Sequence, residues 1–169
     1  MDSKELRELQ RPLKEEYKTN PQEAEVLLHA EGELGSDDIS CKVETDAGIA
    51  EAGLHPATGG DGSQACSGDM LLEALVACAG VTLKSVATAM EITIHKGTVK
   101  AEGLLDFRGT LGVSRESPVG FKSINMTFDL DTDAPPKKVE KLIELTERYC
   151  VVFQTLKNSP ELSANAPLR

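Results

Sequence analysis

Of the four cysteines in this 169-residue chain, two stand where thiol chemistry is workable. Cys78 lies in the small-residue run Leu71-Leu72-Glu73-Ala74-Leu75-Val76-Ala77-Cys78-Ala79-Gly80. Cys150 follows a charged, amphipathic stretch in Glu147-Arg148-Tyr149-Cys150-Val151-Val152. A thiol on a packed helix and a second thiol beside an arginine meet the needs of a two-cysteine redox site. One thiolate attacks an oxidant, and the other resolves the product as a disulfide. A second reading fits the same residues: cysteine is among the most buried residue types, and both thiols then only fill space.

The other candidate groups are weaker. Cys66 ends a Gly-rich loop and reads as an alternative resolver or as an idle thiol. Cys41 alternates with core positions on a strand and reads as packing. His55 lies in the same Gly-rich loop, while His29 and His95 fall in strand-like segments without a motif. Cys66, Cys78, Cys150 and His55 are ligand types that suit zinc, but their spacing matches no zinc motif and no CxxC is present. The Gly-rich loop lacks the Lys-Ser/Thr of a phosphate loop. No cofactor is called for.

The elements that must position these groups are legible in outline. Residues 3–18 form a helix with Leu6, Leu9, Leu13 and Tyr17 on one stripe, interrupted by Pro12. This gives an N-terminal helical arm over residues 1–22 and a main domain over 23–169. Strands are expected at 23–31 and 39–47, with a turn at Gly35-Ser36-Asp37-Asp38 between them. The Gly-rich loop spans 52–66. A long helix follows from Met70 to Met90, capped by Ser67, with Asp69 in its first turn and apolar residues almost all round. Residues 92–108 read as two strands. Residues 121–130 alternate at period two through Ile124, Met126, Phe128 and Leu130. A second long helix opens after Asp133-Ala134-Pro135-Pro136 and presents Val139, Leu142, Ile143, Thr146 and Tyr149 on one face. It breaks near Cys150 and resumes through Leu156. Strands grouped apart from helices make the class α+β with mostly antiparallel pairing.

Composition removes several functions. The net charge of −10 and the 4% aromatic content disfavour a nucleic-acid partner, which needs basic patches and stacking rings. The longest apolar stretch, near 70–83, reads as too short and too polar at its edges for a membrane span. The first residues are charged and carry no apolar signal core, so a cytoplasmic location is expected. Cysteines in that compartment are reduced, redox-active or metal-bound thiols.

The stretch Ser67-Gly68-Asp69-Met70-Leu71-Leu72-Glu73-Ala74-Leu75-Val76-Ala77-Cys78, with Cys150-Val151-Val152-Phe153-Gln154-Thr155-Leu156 downstream, resembles the OsmC/Ohr family of osmotically inducible and organic-hydroperoxide-resistance proteins. Asp106-Phe107-Arg108-Gly109-Thr110-Leu111-Gly112 is similar to the segment after that family's middle strands. The resemblance covers roughly residues 23–158. It implies antiparallel sheets around a long buried central helix, an intertwined homodimer, and thiol-dependent reduction of organic hydroperoxides with a dithiol reductant. Carried over by position, Cys78 is the peroxidatic thiolate and Cys150 the resolving thiol. Asp69 takes the place of the family's acidic residue, where Gly68-Asp69 replaces the usual Pro-Glu. As a plain residue, Asp69 is also an ordinary helix-start carboxylate. The organic-hydroperoxide branch carries an early arginine that stabilises the thiolate, but this chain has no arginine between Arg11 and Arg108. That leans the resemblance toward the OsmC-like branch. It leaves Arg148, Arg108, and Arg7 or Arg11 reaching across the dimer as thiolate-stabilising candidates. The rival function is a non-enzymatic OsmC-like protein that binds a small molecule in its apolar pocket.

Overall fold

The computed structural model describes residues 1–45 and 48–166, and all structural statements concern these. The order of elements is α1 (Ser3–Thr19), β1 (Gly32–Leu34), β2 (Ser40–Thr45), β3 (Gly48–Gly53), β4 (Ala65–Cys66), α2 (Ser67–Ala89), β5 (Lys96–Leu104), α3 (Phe107–Thr110), β6 (Ser123–Asp131), α4 (Pro136–Tyr149) and α5 (Val151–Lys157). Strands β1–β4 form one sheet in sequence order, antiparallel except for the parallel pair β3–β4. Strands β5 and β6 form a separate antiparallel ribbon. The expected α+β class holds.

α1 starts where Asp2 and Glu5 form a capping box, the Asp2 carboxylate accepting from the Lys4 and Glu5 amides. The helix runs unbroken through Pro12. Proline leaves the carbonyl one turn back without its donor, and on this exposed helix water can serve it.

Several expectations need correction. Residues 23–31 are not a strand: Pro21–Ala24 is a 3₁₀ turn, and residues 25–31 have no strand partner among the described residues. Val26, Leu27 and Leu28 are strongly exposed, so their apolar pattern has nothing here to pack against. β3, in contrast, was hidden by its composition. Gly48-Ile49-Ala50-Glu51-Ala52-Gly53 has little intrinsic strand preference and is held by its register with β2. Of the expected strand 39–47, residues 46 and 47 lie outside the described residues.

Residues 92–108 hold one strand, not two. β5 pairs with β6 along its whole length, and its glycines face large neighbours across the pair. A Cβ at Gly103 would overlap the Phe121 ring. These glycines mark close approaches inside a strand. The chain then turns through α3, where the Asp106 carboxylate accepts from the Arg108 amide at 3.2 Å. β6 follows its expected alternation, with Ile124, Met126, Phe128 and Leu130 turned inward.

α2 is the core helix. Its buried stripe is Leu75, Ala79, Leu83 and Ala87, spaced one turn apart. Leu83 and Ala87 pack with Ile92, Leu142, Val99 and Phe128. Leu75 and Ala79 pack with Cys150, Ala101, Met126 and Phe153. The helix was expected to be buried on most sides, yet Ala74, Ala77 and Val81 are exposed, because the β5–β6 ribbon, α4 and α5 cover only one side. At 23 residues α2 is also long and apolar enough to cross a membrane by length and composition, contrary to the sequence reading. Its buried stripe makes it the core of this fold. Its first residue is Ser67 and its N-cap is Cys66, so Ser67 does not cap it.

Candidate active site: a thiol pair between three helices

Cys78 and Cys150, far apart in sequence, meet in the core. The second core cluster holds fully buried Leu75, Ala79 and Cys150, with partly buried Cys78, Val152 and Phe153 against them. Cys78 is half-buried on α2, on the flank of the buried stripe. Cys150 is the single residue between α4 and α5 and is 0% exposed.

The helix break at Cys150 is built locally. Its amide donates to the Thr146 carbonyl at 2.9 Å and ends α4. Its carbonyl accepts from the Gln154 amide at 2.9 Å and starts α5. Its extended backbone, φ −74° and ψ 109°, turns the chain between the two helices. The Gln154 side chain donates to the Glu147 carbonyl at 2.8 Å and staples the first turn of α5 to the end of α4. That turn thereby sits over α2 with its amides toward Cys78.

The two thiols are electrostatically unequal. Burial pushes the Cys78 thiol up. The Val152 amide, the Cys150 thiol, the Val151 amide and the Thr82 hydroxyl together outweigh it and hold Cys78 below the ordinary thiol range. Burial pushes the Cys150 thiol up. The Phe153 amide offsets part of this, and the adjacent Cys78 sulfur raises it further. The surroundings therefore bias the two sulfurs in opposite directions, Cys78 toward its thiolate and Cys150 toward its thiol.

None of the candidate arginines is among the groups that bias this pair within the chain. Arg108 makes a two-pronged ion pair with Asp106, its Nε to Oδ1 at 2.9 Å and its Nη2 to Oδ2 at 2.6 Å. This pair holds the Asp106 carboxyl well below the usual carboxylate range. Arg148 lies at the surface with its guanidinium carbon 5.4 Å from the Tyr149 ring centre. Tyr149 itself is exposed, not on the buried face of α4 as its spacing suggested. Arg11 is exposed on α1, and Arg7 lies 3.7 Å from Glu91. Asp69 is exposed in the first turn of α2, and among the described residues no ion pair includes it. The groups that hold the Cys78 thiol down are the Val152 amide, the Cys150 thiol, the Val151 amide and Thr82. The amides carry no sequence signal, since any residue supplies one. Thr82 could have been found, because it stands one helical turn after Cys78.

An apolar cavity of about 480 Å³ is lined by Leu71, Leu75, Ile124, Met126, Phe153 and Lys157 among others, and Leu75, Met126 and Phe153 belong to the core cluster that holds the two thiols. A second cavity of about 410 Å³ shares Leu71, Gly120 and Phe121 with it and reaches His55 and Cys66. His55 has a structural task there: its Nδ1 accepts from the Ala57 amide at 3.0 Å, and its ring stacks on Phe107 with centres 4.8 Å apart. Neither Cys78 nor Cys150 lines either cavity. Among the described residues, no three His, Cys, Asp or Glu side chains converge as a metal site would require. Cys41 packs across β1–β2, its sulfur filling the space beside Gly32.

The chain is similar in fold to solved OsmC-like structures. An OsmC-like protein from Mycoplasma pneumoniae superposes with a TM-score of 0.67 at 18% identity, over 80% of this chain and 90% of that one. An organic hydroperoxide resistance protein from Elizabethkingia anophelis gives 0.62 at 15% identity, over 80% and 92%. The organic hydroperoxide resistance protein OhrB of Bacillus subtilis gives 0.55 at 17% identity, over 79% and 94%. No curated protein matches the chain in sequence. The profile of the OsmC-like protein family matches residues 60–165, which run from the Gly-rich loop past α5 and include both thiols. With that match over more than half of its length, on the fold these neighbours share, the chain belongs to the OsmC-like protein family.

Proposed function

We propose that this protein is a thiol-dependent peroxidase that reduces organic hydroperoxides through Cys78 and Cys150. The observation that carries the reading is the contact between two thiols with opposite electrostatic bias, Cys78 lowered and Cys150 raised. Inert core cysteines have no need of such a contact. The Cys78 thiolate attacks the terminal oxygen of the hydroperoxide, the O–O bond breaks, and the alkoxide leaves and takes up a proton as an alcohol. Cys78 is then a sulfenic acid. The Cys150 sulfur displaces its hydroxyl as water and forms the disulfide. An external dithiol returns both thiols by exchange and leaves as a disulfide. Cys150 is fully buried, so the reductant attacks from the Cys78 side. The apolar cavity beside Leu75 and Phe153 favours a hydroperoxide with a hydrocarbon body.

Asp69 has no positioning role within the protomer in this reading, and neither do Arg148, Arg108 and Arg11. The exposed apolar run Val26-Leu27-Leu28 and the uncovered face of α2 at Val81 support assembly as a homodimer, with the N-terminal arm and the main domain acting together. A cytoplasmic setting supplies the dithiol reductant. A second reading, a small-molecule-binding protein, is favoured by the open cavity and by the absence of a guanidinium at the sulfur among the described residues.

One equivalent of cumene hydroperoxide, followed by peptide mapping without reductant, separates the two. The proposal expects a single new Cys78–Cys150 disulfide. Unchanged thiols in folded protein would leave the binding reading.

A further inference from the structure

We propose that the two adjoining apolar cavities form one binding site for a linear anionic amphiphile, an alkyl carboxylate whose head pairs with Lys157 and whose hydrocarbon chain runs past Phe121. The inference goes beyond the thiol cycle. Neither Cys78 nor Cys150 lines either cavity, and a saturated carboxylate has no O–O bond to break.

The first observation is shape. The cavities, about 480 and 410 Å³, share Leu71, Gly120 and Phe121 as walls. Each alone has the size of a small-molecule site, roughly 300–1,000 Å³. Ile124, Met126 and Phe153 line one space, and Leu105 and Phe107 line the other. A long, narrow hydrocarbon fits two linked spaces, and each buried CH₂ adds to its affinity. The second observation is charge. Among the described residues, Lys157 is the one Asp, Glu, Lys or Arg side chain that lines either cavity, and it lines only the first. The site therefore has one cationic end, in a chain whose net charge is −10. The third is the placing of that cation. Its Nζ lies 5.9 Å from the centre of the Phe153 ring, a wall of the cavity. The stem lies along apolar surface and the ammonium stays in reach of water at the mouth. Among the described residues no ion pair includes Lys157. A carboxylate there supplies the missing counter-charge while its chain leaves water.

The test reads binding and not turnover, so it stands even if the protein consumes no hydroperoxide. The full chain is titrated in a calorimeter with hexanoate, octanoate and decanoate, and with 1-decanol as the neutral match. One carboxylate is expected per chain, with affinity rising about threefold for each added CH₂. Methyl NMR signals of Ile124 and Met126 are expected to shift with decanoate, which places the hydrocarbon. Lys157 is exposed at the end of α5, so its variants keep the fold, and circular dichroism checks this. Lys157→Gln is expected to weaken decanoate about fivefold and to leave decanol within about twofold, and Lys157→Arg to restore decanoate. Folded wild type that binds no decanoate would overturn the assignment. So would Lys157→Gln binding decanoate as tightly as wild type, or losing decanol and decanoate equally.

Discussion

At the scale of single residues, the thiol pair divides its labour through its surroundings. Cys78 receives donors from three directions and Cys150 receives burial, so one sulfur is ionised more readily than the other. A lowered Cys78 pKa means that thiolate is populated at lower pH than in a free cysteine. Turnover is therefore expected to rise with pH through the Cys78 titration and to level off before about pH 8.5, the range of an ordinary thiol. A rate still climbing tenfold per pH unit above that point would show an unperturbed sulfur. The two thiols of the proposed pair were singled out in the sequence by their contexts and by the family resemblance, and the fold brings them into one core cluster. Thr82 and the α5 amides were not, since the sequence reading looked for a cation and the fold supplies neutral donors. Asp69 is exposed and unpaired among the described residues, so Asp69→Asn is expected to change turnover by less than about threefold; a loss of a hundredfold would restore it to the catalytic set.

At the scale of elements, the site depends on where α2, α4 and α5 meet. Leu142 of α4 is 0% exposed and packs on Leu83 and Ala87 of α2. Leu142→Ala is expected to cost about 2–5 kcal/mol in denaturant unfolding, the range for a buried leucine that leaves a cavity. A loss below 1 kcal/mol would mean that the core closes around the gap. The residue before β5 is tied to the connection between β6 and α4 by His95, whose Nε2 lies 2.9 Å from Asp133 Oδ2. The bond and charge of Asp133 raise the His95 pKa. A raised histidine adds stability that is fully present below its unfolded pKa of about 6.5 and is lost as pH rises through the folded value. Thermal melts should therefore separate wild type from His95→Gln at pH 5.5 and bring them together at pH 9. An equal gap at both values would assign the effect to packing. α2, β6 and α4 were readable because strong periodicity survives any context. β3 was not, because alanine and glycine carry no strand signal, and residues 23–31 misled because apolar alternation says nothing about which neighbour is at hand.

At the scale of the whole molecule, the protomer leaves apolar surface that a monomer rarely shows. Leu27 is 92% exposed and Leu28 84%, and Val81 on the core helix is 73% exposed. In the proposed homodimer, the segment 25–31, which reads as a strand but pairs with none among the described residues, is where a second copy would add. Sedimentation velocity is expected to show a dimer for wild type and a shift toward monomer for Leu27→Asp/Leu28→Asp. A monomeric wild type would leave these residues unexplained and remove the assembly from the account. The net charge of −10 keeps such a protein soluble and gives no direction to the interface.

The central claim is that Cys78 and Cys150 form one catalytic cycle, and turnover tests it most directly. Consumption of cumene hydroperoxide with dithiothreitol should be measured for wild type, Cys78→Ser and Cys150→Ser under the same conditions. The account predicts sustained turnover in wild type and its loss in both variants, with Cys150→Ser halted after a single equivalent as the sulfenic acid. Wild-type protein that is folded, fully reduced and inert toward the hydroperoxide would contradict it.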